Sequence, residues 1–445
     1  MTGLGDLVWW HEHAADRPPA AADAVVVGPD SFQERESSVT GTDRLPGLAP
    51  AWADDLFRVA RTAFVADKRI RRDTAADNWT RRIRLSVPVS DPDLWASPGP
   101  ISHLTALLQT LTGDLWEVRF RAFRPEYTYE TLPFADEPRA SEVSLLSGGL
   151  DSLSWAATRA STGKAHGRRL LFVMFREISL DDLQLRVYAS VRRLGHNREM
   201  CLVRLRQTSK GDGTGDRLET SARTRGLLYA TGAVRIAAAH RVDRVNVPEN
   251  GQLALNSPLT AARAAACSTR SVHPWTLHHL NALVQELSPD RDAVRAVNPL
   301  ADMTKGEVCR AALDAGLEPA ELVDTLSCGK PPIRQGRGLT SGQGLSMANC
   351  GACYPCLVRR SGLLHAMGAD RTEYEVAPWS LPDGSERDED WLALQRRLRT
   401  PPTLHDLLTD TPLPPAVDLG AAMGVLTRGW GELRELLELV PATGP

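Results

Sequence analysis

The chain has 445 residues, a formal net charge of -3, 42% hydrophobic residues and 24% charged ones. That length exceeds one ordinary core and implies two or three domains, and the mildly acidic balance argues against a general nucleic-acid binder. No run of about 18 apolar residues occurs, so no membrane span is expected, and Met1-Thr2-Gly3-Leu4-Gly5-Asp6 lacks the basic and apolar regions of a secretory signal, which points to a cytoplasmic location.

Residues 1–50 are rich in Pro, Ala, Gly, Asp and Ser; Val25-Val26-Val27 reads as a strand and the rest as loop. Residues 51–70 carry helical periodicity through Leu56, Val59, Phe64 and Val65. Residues 81–89 alternate as a half-buried strand, 101–112 read as a helix and 115–123 as a second alternating strand. Residues 1–138 are therefore expected to form a small α+β accessory domain, with Pro133 to Pro138 as linker. Beyond it, strands at 143–146, 170–175, 200–205 and 244–247 alternate with helices at 153–159, 180–194 and 223–240. That alternation predicts an α/β unit over 139–325, a doubly wound parallel sheet covered on both faces. Residues 326–445 open with a Gly- and Cys-rich stretch and continue as helices over 386–399 and 418–439.

Ser147-Gly148-Gly149-Leu150-Asp151-Ser152 follows the first strand of the α/β unit and opens its first helix. In such a sheet this is the carboxyl edge, where ligands bind. Glycines allow a phosphate close to the backbone, and the helix start offers N–H groups and a positive dipole end. Ser147 and Ser152 can donate hydroxyl hydrogen bonds, and Asp151 suits the Mg²⁺ that accompanies ATP. No Gly-Lys-Ser/Thr follows, so this is not a Walker loop.

Four of the seven cysteines cluster: Cys328, then Cys350-Gly-Ala-Cys353-Tyr-Pro-Cys356. Four thiolates fit a closed tetrahedral Zn²⁺ site that staples the segment; thiolates also hold iron–sulfur clusters. Cys201, Cys267 and Cys309 read as buried small hydrophobes. Thr304-Lys305-Gly306-Glu307 fits a capping box, with Lys305 in addition a cation for charge developing on phosphate. Arg223 and Arg225 are either solvated helix residues or an ATP contact. Glu249, Asn250 and Arg270 are substrate candidates set against plain loop positions. His273 before Pro274 reads as structural, and His11 with His13 lacks further ligands for a metal.

The turn and the downstream Cys…CxxCxxC together resemble the QueC family, the 7-cyano-7-deazaguanine synthases, over roughly residues 141–370. The turn resembles the PP-loop of the N-type ATP pyrophosphatases, a HUP-like fold. Ser221 to Gly226, Glu249-Asn250-Gly251 and Thr304 to Glu307 agree with the same family. The resemblance implies ATP, Mg²⁺ and Zn²⁺ as cofactors, the turn residues and Arg223 as the nucleotide site, and Ser147, Asp151, Ser152 and Lys305 as catalytic. It also implies a 7-deazaguanine carboxylate as substrate and, as QueC-like enzymes often are, a homodimer. Val247 to Asn256 lacks the aspartate-rich segment of the biosynthetic enzymes. With the N-terminal unit and the C-terminal helices, this chain looks more like the QueC-like proteins of anti-phage systems, QatC and the QueC homologues of type IV CBASS operons. The chemistry implied is a C–N ligation that ends at an amide, made with an amine that can belong to an operon-encoded protein partner. Nitrile formation and a tRNA-thiolation type of PP-loop enzyme are the alternatives.

Overall fold

A computed structural model of the protein describes residues 6–11, 16–19, 24–38, 49–123, 139–162, 169–195, 200–211, 217–259, 270–288, 293–329, 349–380, 389–408 and 411–439. The linker expected at 133–138, and His13, Cys267, Ser268 and Thr269, lie outside them. Among the described residues no helix is long and apolar enough to cross a membrane.

The N-terminal third runs β1 (Asp6–Trp10), β2 (Ala24–Val27), β3 (Phe32–Ser38), α1 (Ala51–Arg69), β4 (Arg82–Val89), α2 (Pro92–Ala96), α3 (Pro98–Thr112) and β5 (Leu115–Ala122). Its sheet has the order β2-β1-β4-β5, with every pairing parallel. This corrects the α+β expectation. Parallel neighbours need long crossovers, and α1 and the α2–α3 pair supply them. Two strands also replace expected loop. β1 is a contiguous apolar run without alternation, and β3 is almost wholly polar, so neither carries a strand period. β3 leaves this sheet and pairs antiparallel with a later strand, from Phe32↔Ser209 to Ser38↔Val203. The core follows it: one buried cluster holds Trp10, Phe32 and Phe64 together with Val143, Val173 and Phe175.

A buried ionic network ties the same region together. Arg81 meets Asp67 and Asp114 at 2.6 Å each, Arg72 meets Asp114 at 2.8 Å, and Asp67 accepts the Thr224 N–H at 3.0 Å. Each charge is thereby paired and hydrogen-bonded, which is the condition for keeping it inside.

The second unit continues β6 (Glu142–Leu145), α4 (Leu150–Ser161), β7 (Leu170–Phe175), α5 (Asp181–Leu194), β8 (Met200–Ser209), α6 (Arg225–His240), β9 (Arg244–Asn246), α7 (Gly251–Leu255), α8 (Pro274–Leu287) and β10 (Arg295–Val297). After it come α9 (Lys305–Asp314), α10 (Pro319–Val323), α11 (Tyr354–Met367), α12 (Glu389–Arg397), α13 (Leu404–Leu408) and α14 (Leu419–Leu439). The sheet order is β10-β9-β6-β7-β8-β3, parallel except for β3. Leu171, Val173 and Phe175 of β7 face one core cluster, and Phe172 and Met174 face the other. The unbroken apolar run of β7 thus reflects burial on both faces. The chain builds outward from β6 to β8, then returns to place β9 and β10 on the other side of β6. The switch point lies between β6 and β9, where the carboxyl ends of strands leave a crevice.

Two buried histidines close local joints of this unit. His240 Nδ1 accepts the Ala140 N–H at 3.0 Å, and His273 Nδ1 caps α8 by accepting the Trp275 N–H at 3.1 Å. His273 is therefore structural, as expected from its place before Pro274. Burial, aided by the charge of Arg139 beside one and Arg270 beside the other, pushes His240 down to about 4 and His273 down to about 3. An unfolded chain takes up these protons near pH 6.5, whereas the folded one refuses them. Stability against urea is therefore expected to hold above pH 6.5 and to fall as pH drops toward 4, by up to about 1.4 kcal/mol per pH unit for each histidine. His273→Asn, neutral and a good cap, should flatten that dependence. A midpoint independent of pH in the parent protein would refute the assignment.

Candidate functional site

The turn after β6 is closed by its own hydroxyls. Ser147 Oγ and Ser152 Oγ lie 2.9 Å apart, the Ser147 N–H donates to Ser152 Oγ at 3.1 Å, and the Gly149 N–H donates to Ser147 Oγ at 3.0 Å. Gly149 is the N-cap of α4, and no side chain caps this helix. The first turn of α4 therefore keeps the anion-attracting character of a helix start. Gly148 gives room to Leu183: a Cβ there would stand 2.3 Å from Leu183 Cδ2, so that side chain would have to shift. Its carbonyl accepts the Leu326 N–H at 2.9 Å, which ties the turn to the segment leading to Cys328.

Asp151, on the first turn of α4, is the hub of a buried polar group. Lys305 Nζ donates to its Oδ1 at 2.7 Å and Asn250 Nδ2 to its Oδ2 at 3.0 Å. Lys305 is 1% exposed. It sits at the start of α9, behind the expected capping box of Thr304 and Glu307. Asn250 caps α7 through Oδ1, which turns its amide N–H groups toward both Asp151 and Glu249 Oε1, the latter at 3.1 Å. Asn298, which the sequence reading did not single out, holds Glu249 at both ends of its peptide unit, at 3.1 and 2.7 Å. Burial alone would raise Asp151. The ammonium of Lys305 and the hydrogen bonds of Glu249, Lys305 and Asn250 outweigh it and hold Asp151 at about 2. Burial and the adjacent charge of Asp151 push Glu249 well above the carboxylate range. The pair is thus split, Asp151 downward and Glu249 upward, as like-charge neighbours impose. Both oxygens of Asp151 are engaged by Lys305 and Asn250, so the arrangement is not that of an open Mg²⁺ ligand.

These groups face a cavity of about 610 Å³, within the range of small-molecule sites. Ser147, Gly149, Asp151, Lys305 and Glu249 line it together with Cys328, Cys353 and Tyr354. Two of the expected arginines lie elsewhere. Arg223 donates to the Thr112 carbonyl at 3.1 Å, with its guanidinium 4.7 Å above the Trp79 ring. Arg270 donates to the Thr110 carbonyl at 3.1 Å. Arg225 and Ser271 take the places on the cavity wall. Arg225 opens α6 whereas Arg223 lies before its N-cap Thr224, so the Arg223-Thr224-Arg225 string puts only one of its two cations toward the site.

The four clustered cysteines converge. Their sulfurs all lie within 4.8 Å of one another, with Cys328 and Cys353 3.9 Å apart and Cys350 and Cys356 3.8 Å apart. A tetrahedral ion with bonds of about 2.3 Å to sulfur requires edges of about 3.8 Å, whereas a disulfide requires about 2.0 Å. The donor set fits a single metal ion such as Zn²⁺. Thiolates on a multi-iron cluster belong to different irons and stand further apart. Two N–H groups point at the sulfurs, Cys353 to Cys350 and Gly329 to Cys353, at 3.4 Å each. Gly351 makes the knuckle between the first two ligands of the run at φ +86, where a Cβ would lie 2.2 Å from the Val376 carbonyl. Arg360 braces it from Nε to the Gly351 carbonyl at 3.1 Å. Cys201 and Cys309 are buried, as expected, and His11 lies beside Asp30.

No family model matches the chain, and no curated protein matches it. Among solved structures it is similar to the crystal structure of a ketoreductase domain from the bacillaene assembly line, with 9% identity over 66% of this chain and 79% of that one, at a TM-score of 0.22. A likeness of that size carries no argument about function.

Proposed function

We propose that the chain is a QueC-like, PP-loop ligase that adenylates a 7-deazaguanine carboxylate and passes the acyl group to an amine in anti-phage defence. What carries the reading is the convergence of the 147–152 turn with Lys305, Asp151 and Glu249 in one cavity, at a sheet switch point and against the cysteine wall. The polyphosphate of ATP would rest on the uncapped start of α4. A carboxylate oxygen of the substrate attacks the α-phosphorus, and pyrophosphate leaves. The amine then attacks the acyl carbon, loses a proton, and AMP departs with the C–O electron pair.

Lys305 supplies positive charge where it develops during the first step. Two of its three N–H donors remain after the bond to Asp151, and Mg²⁺ arriving with ATP would compete with it for that carboxylate. Glu249 and the Asn250 amide beside it make a polar set suited to the edge of a guanine-like ring. A metal on four thiolates has no open position and supplies folding energy, not a reaction step. The spacing of those thiols also disfavours tRNA thiolation, which needs a cysteine free to carry sulfur.

Incubation with ATP and 7-carboxy-7-deazaguanine is expected to release AMP and pyrophosphate, and intact-mass analysis of copurified partners to show an added acyl group. Absence of AMP with every amine tried would sink the proposal. A free nitrile product would move the chain to the biosynthetic reading.

A further inference from the structure

The start of α9 draws a carboxylate from a distant helix. Thr304 and Glu307 already cap it reciprocally, with the Glu307 N–H on Thr304 Oγ1 at 3.2 Å and the Thr304 N–H on Glu307 Oε2 at 2.9 Å. From α14, Glu432 adds another. It is 3% exposed, takes the Gly306 N–H on Oε2 at 2.9 Å and accepts the Thr304 hydroxyl proton on Oε1. Holding a carboxylate inside is expensive, and burial pushes that of Glu432 above its usual range.

The two residues it grips stand on either side of Lys305. Gly306 leaves it room, since a Cβ there would lie 2.6 Å from Glu432 Oε1. The stem of Lys305 then passes along α11 at Gly362, where a Cβ would lie 2.4 Å from Lys305 Cγ, before the ammonium reaches Asp151. Helix α14 also holds the chain just after Asn250 and the turn before α9. Gln252 Nε2, two residues after Asn250, donates to the Gly429 carbonyl at 3.4 Å, and Arg428 meets Glu307 Oε1 at 2.6 Å and the Asp302 carbonyl at 2.8 Å.

From this geometry we infer that Glu432 is a positioning residue for Lys305, which makes α14 a working part of the site. The inference rests on the reading of Lys305 as the phosphate-facing cation. Glu432 fixes the backbone on both sides of Lys305 and so sets the direction of its stem. A displacement of about 1 Å at such a group can cost about a hundredfold in rate.

The test uses full-length Glu432→Ala and Glu432→Gln with two readouts. In pyrophosphate release from ATP with 7-carboxy-7-deazaguanine and ammonium, Glu432→Ala is expected to lower kcat about tenfold or more, with KM for ATP within about twofold. Glu432→Gln keeps an oxygen for the Gly306 N–H and should recover most of the loss. Independently of turnover, acetylation of Lys305 by acetic anhydride, followed by peptide mass spectrometry, should quicken several-fold in Glu432→Ala, while the exposed Lys210 stays unchanged. Unchanged kcat, unchanged Lys305 labelling, or a glutamine variant as impaired as the alanine one would overturn the inference. If the parent protein releases no pyrophosphate, the functional reading falls and the labelling alone decides the positioning. Should Glu432→Ala fail to fold, Glu432→Asp, one methylene shorter, carries the same comparison.

Discussion

Asp151→Asn is expected to reduce pyrophosphate release by about a hundredfold to a thousandfold, the scale seen when one preorganised electrostatic partner is removed from a closed site. The substitution keeps the shape of the side chain and removes its charge. Lys305 then loses the anion at 2.7 Å that fixes its ammonium. Glu249 loses the neighbouring charge that, after burial, pushes it up. Without its anion the ammonium of Lys305 is no longer held at the mouth of the turn. Stability should fall as well, because breaking a buried pair leaves an uncompensated charge, at about 3–5 kcal/mol. Activity and stability can be separated by the double variant Asp151→Asn with Lys305→Met. Removing both charges should recover most of the urea midpoint and none of the turnover. A single Asp151→Asn variant that keeps most of its rate would show that this carboxylate has no part in the chemistry.

The groups legible in the sequence are those whose signal is local. Ser147 to Ser152 is contiguous, and the turn, the helix start and the nearby strand all lie within a dozen residues. The CxxCxxC run is equally local, and its spacing already places three sulfurs on one knuckle and the first turn of α11. β7 was legible because burial on both faces demands an unbroken apolar run. What escaped depends on distant partners. The polar β3 pairs only because β8 offers it an edge, and no period in Phe32 to Ser38 announces that. The contiguous apolar β1 alternates only in burial, Val8 and Trp10 inside and Leu7 and Trp9 half-buried, so residue type shows no period. Arg223 and Arg225 are indistinguishable by residue type, and only the path of the chain into α6 decides which one faces the cavity. Asn298 and Glu432 act across 49 residues to Glu249 and 126 to Gly306, where no local pattern reaches.

Removing the metal is expected to have the largest effect on stability. A tetrathiolate ion contributes binding energy that is also folding energy, about 10–16 kcal/mol in zinc-finger peptides at neutral pH. Part of that energy is retained here by apolar contacts: α11 is already packed through Leu357, Val358 and Leu363. Cys356→Ser, at a fully buried ligand on the first turn of α11, should therefore lose about 5 kcal/mol and lower Tm by about 10–20 °C. Cys328→Ser, at a half-buried ligand that water can reach, should lose less. Metal analysis of the purified protein should find one equivalent of zinc, and substitution by Co²⁺ should give the absorption of a tetrahedral thiolate site. Absence of a bound metal together with an unchanged Tm in Cys356→Ser would reduce the cluster to buried thiols. Activity should fall with the metal even though no reaction step passes through it. The stem of Lys305 lies against Gly362, six residues beyond Cys356 on the helix that begins at the thiolate cluster. Loosening that helix moves the cation that Asp151 and Glu432 otherwise hold, so zinc added back should restore Tm and turnover together.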